Sequence, residues 1–121
     1  TARALDQAVA TAYVGAFRAV QAAAEAKRSA ETVKRARSTF VRRGAAQEAA
    51  SCAQEAEAGV QIAAQALSAA RGAATLEPSA TARRDVEQCV KSHALAGKAV
   101  NTAARFAREA GRAAGTLDAA R

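Results

Sequence analysis

Small apolar residues recur at alternating spacings of four and three along most of the chain, a pattern typical of helices that are buried along one face. Forty of the 121 residues are alanine, and only 18 are Leu, Ile, Val or Phe. So few large side chains do not suit the core of a β-sandwich or of a multidomain enzyme. Alanine is the best helix former, and the chain contains a single proline. Pattern and composition together predict an all-α protein.

The repeat falls into three segments, each with two rows of small residues at heptad spacing. The rows are Leu5, Ala12, Ala19, Ala26, Val33 and Phe40 with Val9, Ala16, Ala23 and Ala30; then Ala49, Ala56, Ala63 and Ala70 with Ala53, Val60 and Leu67; then Ala82, Cys89, Ala96, Ala103, Ala110 and Leu117 with Val86, His93, Val100, Ala107 and Ala114. Small residues in such rows let helix axes approach closely. We therefore expect a single helical domain over residues 1–121, an elongated antiparallel three-helix bundle with alanine-rich, coiled-coil-like packing.

Two groups of helix-breaking residues set the expected helix ends. Gly44 follows two arginines, which suits a helix C-terminus, although a glycine inside a longer helix is the alternative there. Gly72, Pro78 and the capping residue Ser79 predict the second break. The expected helices are approximately 3–43, 45–71 and 79–119. Because the middle helix is the shortest, we expect part of the two outer helices to lack one neighbour.

Large apolar residues near the start of the first helix form a candidate partner-binding face. They are Val9, Tyr13, Val14, Phe17 and Val20, and two of the four aromatic residues of the chain are among them. They spread around more of the helix circumference than one buried row requires. Either the third helix covers them, or they bind another protein chain whose identity the sequence does not give.

Basic residues give the chain a net charge of +7 and are concentrated near the end of the first helix. If that helix is continuous, Lys27, Arg28, Lys34, Arg35 and Arg42 fall within an arc of about 120°. Arg84, Lys91, Lys98, Arg105 and Arg112 recur at the position of the third helix that points away from the core. A solvated surface explains these charges; an acidic protein or an anionic membrane is the next interpretation, and nucleic acid is the least favoured. Antiparallel packing would also bring Glu48, Glu55 and Glu57 alongside the first helix.

The cysteines and the histidine offer few chemical possibilities. Cys89 and His93 lie four residues apart on one helical face, but a zinc site needs further ligands that this face lacks. A disulfide between Cys52 and Cys89 is the other alternative to two buried thiols, and it requires a tighter hairpin than a 72–78 loop provides. No catalytic motif or phosphate-binding glycine loop occurs. We therefore expect no enzymatic activity, no metal site and no cofactor.

These observations favour a non-enzymatic structural or protein-interaction bundle, as a subunit of a larger assembly or as a surface protein. The alternative is a polyanion-binding module that uses the basic helix face on an anionic membrane or a nucleic acid. The chain begins at Thr1 and contains no methionine, which suggests an excised fragment or a processed chain from an organelle or the cell exterior. No segment has the composition of a transmembrane span, since the most apolar stretch carries Arg18 near its middle.

Overall fold

Three long helices pack against each other in an up-down-up bundle. The structure is a computed structural model that describes residues 2–119, with the side chains of residues 2–115. The helices are α1 (Ala2–Arg35), α2 (Thr39–Leu76) and α3 (Ala80–Ala119), and every pair of them is in contact. The all-α class and the antiparallel three-helix architecture expected from the heptad rows are confirmed.

The connection between α1 and α2 lies at residues 36–38, so the predicted break at Gly44 is wrong. Ser38 has extended backbone angles and its side chain accepts a hydrogen bond from the Val41 amide, as the N-cap of α2. The Arg42 guanidinium donates to the Ala36 carbonyl and so ties the first turn of α2 to the end of α1. Gly44 lies inside α2. Like every other glycine among the described residues, it does not take the positive φ of a helix-ending glycine. The start of α2 is therefore set by the capping side chain of Ser38 and not by a helix break at Gly44.

The connection between α2 and α3 is shorter than predicted. Gly72 is helical, and α2 continues to Leu76, where the Glu77 amide bonds to the Ala73 carbonyl. Pro78 follows, and Ser79 caps α3 by accepting a hydrogen bond of 2.9 Å from the Ala82 amide. The predicted cap at Ser79 is therefore confirmed, whereas the helix end at Gly72 is wrong.

The three helices have similar lengths of 34, 38 and 40 residues. The predicted short middle helix, with uncovered stretches of the outer two, is wrong because both connections were misplaced toward the interior of α2. Exposed apolar surface in this molecule therefore does not arise from an overhang.

Alanine fills most of the core, as the heptad rows predict. Of the 26 hydrophobic residues that are buried in the described part of the chain, 21 are alanine, and Val33 and Cys89 are the largest fully buried side chains. The predicted rows are buried or half-buried except at Phe40, which belongs to α2 and faces solvent, and at Leu117, whose side chain lies outside the described residues. The core clusters lie at mid-length, near the α2–α3 connection around Leu5 and Leu67, and near the α1–α2 connection around Val33.

Two glycines mark the closest approach of α1 and α2. A Cβ atom added to Gly15 would lie 2.6 Å from the Gly59 carbonyl oxygen and 2.8 Å from the Ala63 amide nitrogen. A Cβ added to Gly59 would lie 2.5 Å from the Gly15 carbonyl oxygen and 2.9 Å from the Ala19 amide nitrogen. The two backbones are in direct contact here, at a distance that only glycine permits on both sides.

Candidate interaction surfaces

Four of the five residues predicted to bind a partner are exposed on one helix, and we call Tyr13, Val14, Phe17 and Val20 the α1 apolar face. Tyr13 is 66% exposed and Phe17 is 53% exposed. Their rings stack one turn apart, with centroids separated by 6.4 Å and planes inclined by 15°. The third helix does not cover them, which removes the interpretation that they belong to the core.

Val9 differs from the other four, because it packs against the buried cluster that contains Leu5, Ala12 and Leu67. Helical geometry explains the difference, since Val9 lies on the buried row of α1 whereas Tyr13 and Phe17 lie on the far side from the Gly15 contact with α2. Val9 is therefore a structural residue and is not part of the exposed face.

A shallow groove between α1 and α3 adjoins the α1 apolar face and extends it onto a second helix. It is lined by Val20, Ala23, Leu95, Lys98, Ala99 and Thr102. Leu95 is exposed and was not among the residues predicted from the sequence. Leu95 falls outside both heptad rows of α3, so the sequence indicated that it is exposed but did not indicate that it lies beside α1.

An ion pair joins α1 to α2 next to this region. The Arg18 Nη2 atom lies 2.8 Å and its Nε atom 3.3 Å from the Oε2 atom of Glu55. The hydrogen bond from Arg18 lowers the pKa of the Glu55 carboxyl below its ordinary value. Glu55 thus lies beside α1 as expected. Its partner is Arg18, which is not one of the basic residues that are concentrated near the end of α1.

The basic residues predicted to bind polyanions do not share one continuous helix face. Lys27, Arg28, Lys34 and Arg35 belong to α1 and are exposed, whereas Arg42 belongs to α2 beyond the 36–38 connection. Arg42 is half-buried and donates to the Ala36 carbonyl, so its guanidinium is already used to join the two helices. The predicted ridge through Arg42 is therefore wrong as a single helical stripe, because it assumed a helix to residue 43.

Lys34 contacts α3, since its Nζ atom lies 3.7 Å from a carboxylate oxygen of Glu109. This contact shows that the end of α1 and the later part of α3 lie at the same end of the bundle. The five heptad-spaced basic residues of α3 that were predicted to face away from the core are all exposed.

Both cysteines are free thiols, and no disulfide joins them. Cys52 lies in the mid-length cluster and Cys89 in the cluster near the α2–α3 connection. Val86 and Arg71 line the same groove, so they lie at similar heights in the antiparallel α2–α3 pair. Cys89 is three residues after Val86, so it faces a point on α2 that is three residues before Arg71. That point is about 16 residues, or about 24 Å, from Cys52. The hairpin turns later than the 72–78 loop we expected, which moves the two thiols still further apart.

Burial governs the ionisation of both thiols. It raises the pKa of Cys52, and the nearby carboxylates of Glu25 and Glu48 raise it further. The Cys52 sulfur lies 3.9 Å from a Glu25 oxygen. Burial likewise raises the pKa of Cys89, with a smaller contribution from Asp85. Both thiols are kept protonated and shielded, which is the opposite of the environment of a reactive cysteine.

Two further features concern metal and membrane chemistry. His93 is half-buried on α3, and the described side chains, those of residues 2–115, include no cluster of three or more His, Cys, Asp or Glu that would hold a metal ion. Within the same residues, none of the helices combines the length and the hydropathy needed to span a bilayer.

Comparison with known proteins gives no relatives: no family model, no curated protein and no solved structure matches this chain.

Proposed function

We propose that this protein is a non-enzymatic interaction bundle, in which the α1 apolar face packs against a helix of another chain. The observation that supports this function is the distribution of side-chain size. Nine large hydrophobic side chains are exposed, while the buried positions are mostly alanine. A bundle that needed bulk only for its own stability would place those side chains inside.

The spacing of the exposed residues suits a helical partner. Tyr13, Phe17 and Val20 follow the i, i+4, i+7 pattern by which one helix presents anchors to another. Leu95 lies across the groove from Val20 and widens the surface onto α3. Tyrosine is enriched among the few residues that dominate the free energy of binding in protein interfaces.

The charge distribution permits a second copy of this chain as the partner. Residues 2–26 and 49–104, which include the α1 apolar face and the groove, contain seven basic and seven acidic residues. The surplus of positive charge begins at Lys27, about 15 Å along α1 from Phe17. In a two-fold antiparallel dimer the two basic ends would be separated by about 30 Å, or about three Debye lengths at 0.1 M salt. Repulsion therefore does not oppose self-association through this face.

Sedimentation velocity across a concentration series tests the proposal. We expect concentration-dependent dimer formation by the wild type. We expect Tyr13→Ser and Phe17→Ser each to weaken it about a hundredfold, because each removes the burial of one aromatic ring from both protomers, at about tenfold per ring. Leu76→Ser is the matched control, since Leu76 is 78% exposed at the end of α2, and it should leave the association unchanged.

Two results would overturn the dimer. The first is a wild type that remains monomeric up to millimolar concentration. The second is a dimer that Leu76→Ser weakens as much as Phe17→Ser does. Circular dichroism of each variant verifies that the helices persist, which we expect because the substituted side chains are exposed.

A further inference from the structure

One end of the bundle carries the whole charge surplus of the molecule. We define the basic end as residues 27–48, comprising the end of α1, the connection and the start of α2, together with residues 105–112 of α3. It contains ten basic and three acidic residues, whereas residues 2–26 and 49–104 have equal numbers of each. The Lys34–Glu109 contact and the cluster of Val33, Ala45 and Ala110 place these segments together.

The basic end also presents the most exposed aromatic side chain of the described residues. Phe40 lies in the first turn of α2 and is 87% exposed, and its neighbour Val41 is exposed as well. Ser38 caps α2 two residues earlier, which fixes the turn that holds Phe40 outward. Gly44 lies one turn further along, so it adds no side chain on that side of Phe40, and a Cβ atom built there would meet nothing within 4 Å.

An exposed aromatic side chain at an end of the bundle that is rich in cations matches the surface of an anionic bilayer. Basic side chains are attracted to acidic headgroups, while an aromatic side chain enters the boundary between headgroups and acyl chains. We propose that the basic end docks reversibly on an anionic lipid membrane, with Phe40 and Val41 inserted at the headgroup boundary.

The arrangement fits a membrane better than a nucleic acid. The cations come from three helices at one end of the bundle, so they are not confined to a single helix face of the kind that follows a phosphate backbone. Phe40 has no second exposed aromatic residue beside it in the basic end, where Phe106 is half-buried under the Arg105 guanidinium at 4.7 Å. Binding of single-stranded nucleic acid relies on several stacking aromatic residues.

Vesicle flotation tests the electrostatic part of the proposal. We expect the protein to float with vesicles of phosphatidylcholine containing phosphatidylserine, and not with phosphatidylcholine alone, with binding that weakens as salt is raised. The double variant Arg35→Gln/Arg37→Gln should lower the partition coefficient about 25-fold, since each cation contributes about fivefold. The matched control Arg83→Gln/Arg84→Gln removes two exposed charges from the neutral part of the chain and should have a much smaller effect.

A tryptophan reporter tests the insertion, since the chain contains no tryptophan. We expect the emission of the Phe40→Trp variant to shift to the blue on anionic vesicles and to be quenched by brominated acyl chains. Leu76→Trp, at the opposite end of the molecule, should show neither effect. Phe40→Ser should lower the partition coefficient about tenfold through the loss of a ring that is 87% exposed in the free protein.

Four results would overturn the proposal: equal binding to neutral and anionic vesicles, equal losses in the two arginine double variants, a tryptophan at position 40 that stays in water while the protein is bound, or tighter binding to duplex DNA than to vesicles. Because Phe40 and Arg35 lie outside the α1 apolar face, these variants leave the proposed dimer intact. Failure here is thus distinguishable from failure of the interaction function.

Discussion

Replacing Gly15 by alanine probes the contact that brings α1 and α2 together. A Cβ atom at this position would lie 2.6 Å from a backbone oxygen and 2.8 Å from a backbone nitrogen of α2. Backbone atoms have no alternative rotamer, so the helices themselves must separate by close to 1 Å. A gap of that size removes about a quarter to a half of the dispersion energy between the facing atoms.

The expected free-energy change has two opposing parts. Overpacking of a tight contact costs about 1–3 kcal/mol, and the upper end applies because backbone lies on both sides of the added methyl. Alanine in place of glycine inside a helix returns about 1 kcal/mol. We therefore expect Gly15→Ala to lower the free energy of unfolding by about 2 kcal/mol and the melting temperature by several degrees.

Gly111→Ala is the matched control. Gly111 is exposed inside α3, and a Cβ atom there would meet nothing within 4 Å. The same chemical change should stabilise the protein by about 0.5–1 kcal/mol. Urea denaturation followed by circular dichroism at 222 nm measures both variants.

A Gly15→Ala variant as stable as Gly111→Ala would refute the backbone contact. The double variant Gly15→Ala/Gly59→Ala adds a second test. Both methyl groups require the same separation of α1 and α2, so the double variant should lose less stability than the sum of the two single variants.

Three further outcomes follow from side-chain contacts. Ser79→Ala removes the cap of α3 and should lower the free energy of unfolding by about 1 kcal/mol, as urea denaturation measures. Burial raises the pKa of Cys52 and Cys89, so their contribution to the free energy of unfolding is present below about pH 8.5 and is lost as the pH rises. Above that pH the stability of the variant with alanine at both positions should therefore fall less steeply than that of the wild type. An equally steep fall in both proteins would show that the thiols are exposed. Because Arg18 lowers the pKa of Glu55, the stability difference between wild type and Glu55→Gln should shrink as the pH falls below about 4.3, and a difference independent of pH would contradict the pair.

The buried face of each helix could be predicted from the sequence because it depends only on periodicity. Rows of small residues at heptad spacing identify the buried side whatever lies opposite, and Ala12, Ala56 and Ala103 are all fully buried. The same reasoning identified the exposed basic residues of α3. Periodicity is a local property, and helical propensity along this chain is uniform enough not to oppose it.

The helix ends could not be predicted as reliably, because glycine is an ambiguous signal in an alanine-rich helix. Gly44 and Gly72 cost about 1 kcal/mol each, which long helices tolerate. The competing signal at Ser38 was an ordinary N-cap residue followed by the β-branched Thr39. Placing the break there moves Arg42 and Phe40 from α1 to α2, so a single misplaced end changed both the predicted basic surface and one predicted buried row.

The candidate site was predictable in part. Tyr13 and Phe17 were identified because large aromatic residues are conspicuous outside a row of alanine. Leu95 was missed because its importance depends on which side of α3 faces α1. That arrangement comes from tertiary packing and is not encoded in the spacing of α3 alone.

The contact between Gly15 and Gly59 has a consequence for how the helices are aligned. Where a buried row consists of alanine, shifting α1 along α2 by seven residues still leaves alanine facing alanine. The apolar area that is buried is then nearly the same in the original and in the shifted alignment. Such a slide would place Gly15 opposite Cys52 or Ala66, where a Cβ atom occupies the space that the Gly59 backbone leaves open. The two glycines therefore single out one alignment of the hairpin, which is information that forty alanines do not carry.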